Sequence, residues 1–236
     1  KPQEKIPPVI HVAGTNGKGS VVAYLKSIAE AAGLGVHTYI SPHLKKFNER
    51  IVVGGIPASN SEIYQVMEEC EAINGNSPIT FFEITTAIAF VLFSRYPGDL
   101  AILETGLGGR LDATNVIETP QVTALTSISM DHKEYLGENI CDIAREKAAI
   151  MRSGVSCVVA LQKQEVKEVI KDVAASLGST CFYQEEHWSY WKEDKYFHLD
   201  NGYRKGRFRL PNLLGEHQIQ NAAQAITCLD TSGVHK

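Results

Sequence analysis

The sequence contains no apolar run approaching the ~18 residues that a membrane-spanning helix needs, so no helical span is expected in these 236 residues. Lys1 to Pro8 is polar and proline-rich, without the apolar stretch of a signal peptide. Cysteine is sparse: Cys70, Cys141, Cys157, Cys181 and Cys228 are scattered, odd in number and without a CxxC pair. That pattern argues against a disulfide framework or a zinc site and fits reduced thiols in a cytoplasmic protein. There is no excess of basic charge either. Lys and Arg number 23 against 27 Asp and Glu, a net charge of −4, which argues against a strongly basic nucleic-acid binder. Internal repeats and low-complexity tracts are also absent. What remains is 44% hydrophobic and 21% charged, enough for a substantial core in one large domain or two small ones.

Strand-like and helix-like segments alternate along the chain. Pro8–Ala13 is a short apolar run entering a glycine-rich turn, and Lys18–Ala32 repeats Val21, Val22, Leu25, Ile28, Ala29 and Ala32 at helical spacing before Gly33. Val36–Ile40 reads as a strand, and Asn48–Val53 as a strand entering a tight turn at Gly54-Gly55. Ser59 and Glu62 form a capping-box pair opening a helix through Ile73. A second helix is expected at Phe82–Tyr96. Leu100–Leu103 and Val122–Ile128 are buried-strand candidates, followed by a helix at Ile140–Met151, a strand at Cys157–Leu161 and a helix at Val166–Leu177. Trp188–Leu210 alternates aromatic and polar residues around Asp200-Asn201-Gly202, a hairpin signal. A last helix is expected at Glu216–Leu229. This rhythm predicts an α/β fold: a mostly parallel sheet with helices on both faces and a small antiparallel hairpin appendage.

Gly14-Thr15-Asn16-Gly17-Lys18-Gly19-Ser20 joins the first strand to the first helix. Glycines allow backbone N–H groups to turn inward, the helix start carries partial positive charge, and Lys18 can reach phosphates. The usual P-loop spacing is broken twice. Val12 stands where its first glycine would be, and Gly19 follows the lysine, displacing the hydroxyl to Ser20. Glu104 ends a buried strand, at the edge where open parallel sheets bind ligands. It is either a Mg²⁺ ligand or a solvated acid starting a loop. Lys147 falls on the inward stripe Ile140, Ile143, Ala144, Lys147, Met151. Either its head snorkels to water, or it is paired or modified, because burying a lone ammonium is costly.

His11-Val12-Ala13-Gly14-Thr15-Asn16-Gly17-Lys18-Gly19-Ser20 resembles the ATP loop of the Mur-ligase superfamily in its folate branch, the folylpolyglutamate and dihydrofolate synthases. Further blocks carry the same resemblance: Ser41-Pro42-His43-Leu44, Phe47-Asn48-Glu49-Arg50-Ile51, Glu104 through Asn115, Met130-Asp131-His132, Lys147-Ala148-Ala149-Ile150 and Gly215-Glu216-His217-Gln218. Ala149 departs from the glycine often found in the lysine block.

The resemblance implies an ATP-dependent ligase joining L-glutamate to dihydropteroate or a folate through an acyl phosphate. It implies Mg²⁺ held by Ser20, Ser41, Glu104, His132 and a carbamylated Lys147, with Lys18, Lys147 and His132 in catalytic roles. Residues Gly14 to Ser20, with His217 and Asn221, would hold the nucleotide, although Glu216 and His217 could simply serve the helix start. Arg50, Asp112 and Ala113 would line the pterin side, and Asp112 could equally be a turn residue. The chain is expected to be one Mur-type ATP-binding domain over 1–236, monomeric, with the family's C-terminal glutamate-binding domain outside it. Rival readings are another Mur-type ligase, such as a muramyl-peptide synthetase, and a non-catalytic nucleotide-binding module.

Overall fold

A computed structural model describes residues 1–131, 134 and 137–234. Its centre is an eight-stranded sheet in the order β4-β3-β2-β5-β1-β6-β7-β8. The strands are β1 Val9–Ala13, β2 Val36–Tyr39, β3 Ile51–Val53, β4 Ile56–Pro57, β5 Leu100–Glu104, β6 Val122–Leu125, β7 Ser156–Val159 and β8 Thr180–Tyr183. β2, β5, β1, β6, β7 and β8 run parallel, and β3 and β4 form an antiparallel edge. Every residue of β1 and β5 is buried, as expected for central strands covered on both faces.

Alternation along these strands sorts the core. Ile10, Val12, Leu100, Ile102, Val122 and Ala124 face α1 (Lys18–Ala31) and the last helix, α6 (His217–Ser232). On the opposite face, Val9, Ala101 and Leu103 pack under α2 (Asn60–Asn74) and α3 (Phe81–Arg95). Beside them, Leu125, Cys157 and Val159 pack under α4 (Ile140–Ala148) and α5 (Gln164–Leu177). Each fully buried aliphatic side chain there contributes roughly 1.5–3 kcal/mol.

Local chemistry sets the helix ends. Ser59 and Glu62 form the expected capping box at α2, and Thr80 and Glu83 form a second one at α3. Gly33, at φ 87°, closes α1 with its N–H on the Glu30 carbonyl (2.9 Å) and the Leu34 N–H on Ala29 (3.1 Å), a Schellman arrangement.

Three expectations need correction. Residues 47–50 are a 3₁₀ turn, so the strand begins only at Ile51. The reason is Glu49, whose carboxylate accepts the backbone N–H groups of Leu44, Lys45 and Lys46 (2.7–3.3 Å) and closes the segment on itself. β8 was not foreseen, being short and half exposed at the sheet edge. The appendage is a three-stranded antiparallel sheet, β9 (Ser189–Glu193), β10 (Tyr196–Asp200) and β11 (Lys205–Arg209). Its expected turn lies between β10 and β11. An additional turn at Asp194, with φ 51°, joins β9 to β10. All five cysteines are free thiols, and among the described residues no helix is long and apolar enough to cross a membrane.

Candidate functional site

The sheet order gathers the singled-out residues at one edge. β1 is flanked by β5 and β6, and from it the chain winds first toward β2 and later toward β7. That reversal opens a crevice at the carboxyl ends of the strands. The loop after β1 is pinned there by the segment that follows β6. Thr15 and Asn16 both donate their N–H to the Ser127 carbonyl beyond β6 (2.9 and 3.2 Å). The Thr15 hydroxyl donates to the Ser129 carbonyl at 3.1 Å, and the Asn16 amide to the Ser129 hydroxyl at 3.1 Å. The Thr15 and Asn16 amides therefore shape the loop. The amides left for an anion belong to the first turn of α1, where the first intrahelical bond runs from the Val21 N–H to Gly17. No side chain caps α1, in contrast to α2, α3 and α4.

Two cations converge on the Gly14 carbonyl. Lys18 Nζ donates to it at 3.1 Å and Lys147 Nζ at 2.9 Å. Lys147 is only 3% exposed, so it does not snorkel; Ile140, Ile143, Ala144 and Lys147 form the expected inward stripe, but α4 ends at Ala148, and Met151, expected on the same stripe, is buried beyond the helix. Burial, followed by the charge of Lys18, lowers the Lys147 pKa to about 8, against the pull of Asp131 and Asp112. Glu104 is buried beside this loop, its Oε2 within 3.8 Å of where a Cβ on Gly19 would stand. Burial raises its pKa to about 7, while Lys18 and the Ser41 N–H act the other way and Asp112 adds to the rise. Among the described residues no three His, Cys, Asp or Glu side chains form a metal cluster. A single buried carboxylate beside a phosphate loop nevertheless fits Mg²⁺, which is commonly held by one or two carboxylates together with substrate phosphates. His132 lies outside the described residues.

The N-terminal end of α6 closes another side. Asn221 is buried with Oδ1 2.7 Å from the Cβ position that Gly17 leaves empty, so the glycine, at φ 91°, is required by this contact as well as by its conformation. Asn221 donates to Gln218 at 3.2 Å, and Gln218 accepts from Tyr24 of α1 at 3.4 Å. His217 is exposed and within hydrogen-bonding distance of the Gln218 amide at 3.1 Å.

A cleft of about 670 Å³ adjoins the loop, lined by Ser41, Arg50, Asp112 and Ala113 together with Thr80, Phe82, Gly106, Leu107 and Arg110. The Arg50 guanidinium stands 5.8 and 5.5 Å from the ring centres of Phe47 and Phe81, and its Nε donates to His43 Nδ1 at 2.9 Å. The Asp112 carboxylate is occupied by its own loop. Oδ2 accepts from the Gly106 and Leu107 amides (2.8 and 3.0 Å), and Oδ1 from the Thr114 amide and hydroxyl (2.9 and 2.5 Å). These four bonds hold Asp112 in its turn at the cleft wall.

Sequence reasoning did not single out the residues that tie this loop down. Arg110 bonds Glu146 through its side chain (2.8 Å) and backbone N–H (2.9 Å). Arg152 donates to the Asn115 carbonyl and side chain (2.9 and 2.6 Å). His11 Nε2 meets the Thr114 hydroxyl at 2.8 Å. The Phe82 wall had a usable sequence signal, the Thr80/Glu83 capping pair. The His11 contact had none.

Burial, reinforced by the charge of Arg152, holds the His11 imidazole neutral with its pKa pushed down to about 3. Between pH 6.5 and 3 the unfolded chain takes up a proton here that the folded chain refuses. This contribution to stability is complete above pH 6.5 and declines as pH falls, by about 2 kcal/mol at pH 5. His11→Gln should flatten this acid limb in urea denaturation at pH 7 and pH 5; identical losses in parent and variant would contradict the assignment.

The chain matches one family model and several known proteins. The model of the Mur ligase middle domain matches residues 12–229. The dihydrofolate synthase/folylpolyglutamate synthase of Bacillus subtilis is 41% identical over 95% of this chain and 55% of its own length. The structure of Escherichia coli FolC in complex with DHPP and ADP superposes with a TM-score of 0.89 at 38% identity, over 99% of this chain and 54% of that one. A bifunctional folylpolyglutamate synthase/dihydrofolate synthase with Mn, AMPPNP and L-glutamate bound gives a TM-score of 0.86 at 38% identity, over 98% and 54%. The chain thus spans about half the length of the relatives it matches.

Proposed function

The chain belongs to the Mur ligase family through its middle domain, and from that membership we propose that it is the ATP-binding part of an amide ligase joining L-glutamate to dihydropteroate or a folate. The observation that carries the reading is the convergence of Lys18 and Lys147 on the Gly14 carbonyl, at the start of an uncapped helix and beside the cleft containing Arg50, Asp112 and Ala113. The relatives add support: the Escherichia coli structure is a complex with DHPP and ADP, and the bifunctional synthase structure has Mn, AMPPNP and L-glutamate bound.

In this reading, Gly14 to Ser20 hold the triphosphate, with the first-turn amides of α1 and Lys18 on its terminal oxygens, and Asn221 and His217 lie toward the base. The acceptor's carboxylate attacks the γ-phosphorus in line, giving an acyl phosphate and ADP. The glutamate amine then attacks the acyl carbon, and the tetrahedral adduct expels phosphate. No protein nucleophile takes part: the chain supplies position and charge. Ser20, Ser41, Glu104, His132 and Lys147 would hold Mg²⁺, which when bound neutralises phosphate charge. Lys147, buried and close to neutrality, would add CO₂ at Nζ and release a proton, becoming an anionic oxygen ligand.

The full-length protein, given ATP, Mg²⁺, L-glutamate and either dihydropteroate or tetrahydrofolate, should release ADP, phosphate and glutamylated acceptor in equal amounts. Nucleotide hydrolysis with no glutamate entering either acceptor would refute the ligase reading. Removing dissolved CO₂ should lower turnover and bicarbonate should restore it; indifference to bicarbonate would exclude the modified lysine.

A further inference from the structure

A buried line of hydrogen bonds connects the phosphate loop's own strand to the wall of the acceptor cleft. The Asp112 carboxylate has all four of its acceptor positions filled by Gly106, Leu107 and the two donors of Thr114. Because the Thr114 hydroxyl proton points at Asp112, its oxygen is left to accept, and His11 must donate from Nε2 at 2.8 Å. That fixes the neutral imidazole in its Nε2–H form. His11 sits in β1 opposite Leu103 and Thr123, three residues before Gly14, whose carbonyl both lysines share. At the other end of the line, Gly106 packs so closely on Phe82 that a Cβ would come within 2.6–3.0 Å of three of its ring atoms. Any shift of Asp112 is therefore transmitted to the aromatic wall of the cleft.

We propose that His11 and Thr114 are positioning residues that set the acceptor cleft relative to the phosphate loop. This inference rests on the ligase reading. An apolar residue on this face, beside Val9 and Leu103, would pack β1 without any buried polar group to satisfy, so bulk stability does not call for a histidine here. A single directed bond from the strand that carries the phosphate loop to the loop that walls the cleft instead fixes the separation of two sites for different reactants, which in-line transfer tolerates poorly.

The test uses the full-length protein with four substitutions. Thr114→Val removes both hydroxyl bonds at nearly constant volume, and Thr114→Ser keeps them. His11→Leu removes the donor, and His11→Gln can retain one. Steady-state kinetics in acceptor and in ATP would be read beside calorimetric binding of a non-hydrolysable ATP analogue and of dihydropteroate. Thr114→Val and His11→Leu should lose on the order of 10²-fold in kcat/KM for the acceptor, with nucleotide affinity within about twofold of the parent. Thr114→Ser and His11→Gln should recover most of the loss. Equal losses for acceptor and nucleotide, or a full acceptor defect in Thr114→Ser, would overturn the proposal. Should either apolar variant fail to fold, the serine and glutamine variants decide it alone. A parent that binds nucleotide but neither acceptor would instead remove the ligase reading beneath it.

Discussion

Replacing Lys18 with alanine is expected to lower nucleotide-dependent turnover on the order of 10³-fold, comparable with losing a principal transition-state donor, while leaving the fold intact. The backbone turn does not depend on this side chain, because the Thr15 and Asn16 amides hold it to Ser127. Lys18 Nζ rests on the Gly14 and Thr15 carbonyls (3.1 and 3.5 Å), a position from which it can turn to phosphate oxygens. The substitution should also reach Lys147. The charge of Lys18 is one of the causes lowering the Lys147 pKa, so its removal should return that amine toward its ordinary range and make it less available to CO₂. Lys18→Ala should consequently need more bicarbonate to reach its residual rate. Thermal melting and circular dichroism would establish the fold, and product formation the loss. Unchanged turnover in a folded variant would remove Lys18 from the mechanism.

Gly14→Ala should be strongly damaging to both stability and nucleotide binding. A Cβ on Gly14 would stand 1.9 Å from Thr126 Oγ1 and 3.1 Å from the Thr126 backbone nitrogen, and the residue's φ of 149° is unfavourable for alanine in addition. Thr126 is buried and its N–H is bonded to the Ala13 carbonyl at 2.9 Å, so neither side can yield without breaking the β1–β6 edge. Backbone strain and overpacking each cost about 1–3 kcal/mol, giving a combined loss of about 2–6 kcal/mol. Displacing the carbonyl on which both lysines converge should abolish nucleotide binding as well. Adding Thr126→Ala removes the hydroxyl from the clash but not the backbone contact or the φ, so the double variant should regain only part of the stability. Urea denaturation and nucleotide titration on the three proteins measure both effects. Wild-type stability in Gly14→Ala would show that the loop relaxes where these contacts say it cannot.

Much of the site was legible in the sequence because its signals are local. A strand, a glycine-rich turn and a helix in succession marked the phosphate loop, and helical spacing placed Lys147 on the buried side of α4, where it is 3% exposed. The capping pair Ser59/Glu62 started α2 at the expected residue. Local rules failed where a side chain reorganised the backbone near it. The carboxylate of Glu49 gathers three amides into a turn where the strand Asn48–Val53 was expected to begin. They failed also at β8, whose short half-exposed run has little to distinguish it from a loop.

The amino-acid sequence by itself determined the alternation of elements, the phosphate loop and the inward face of the lysine helix, since each is written in residues a few positions apart. Only the tertiary structure decided what those residues meet. Lys147 finds the Gly14 carbonyl 133 positions away, and His11 finds Thr114 across 103. Both meetings depend on β5 and β6 closing on either side of β1. Strand order arises from how whole helix layers bury their apolar faces against the sheet, and that leaves no periodic trace in any one segment. The same holds for Asp112: its type and turn position suited a ligand contact as well as a loop anchor, and only the fold brings four donors around its carboxylate.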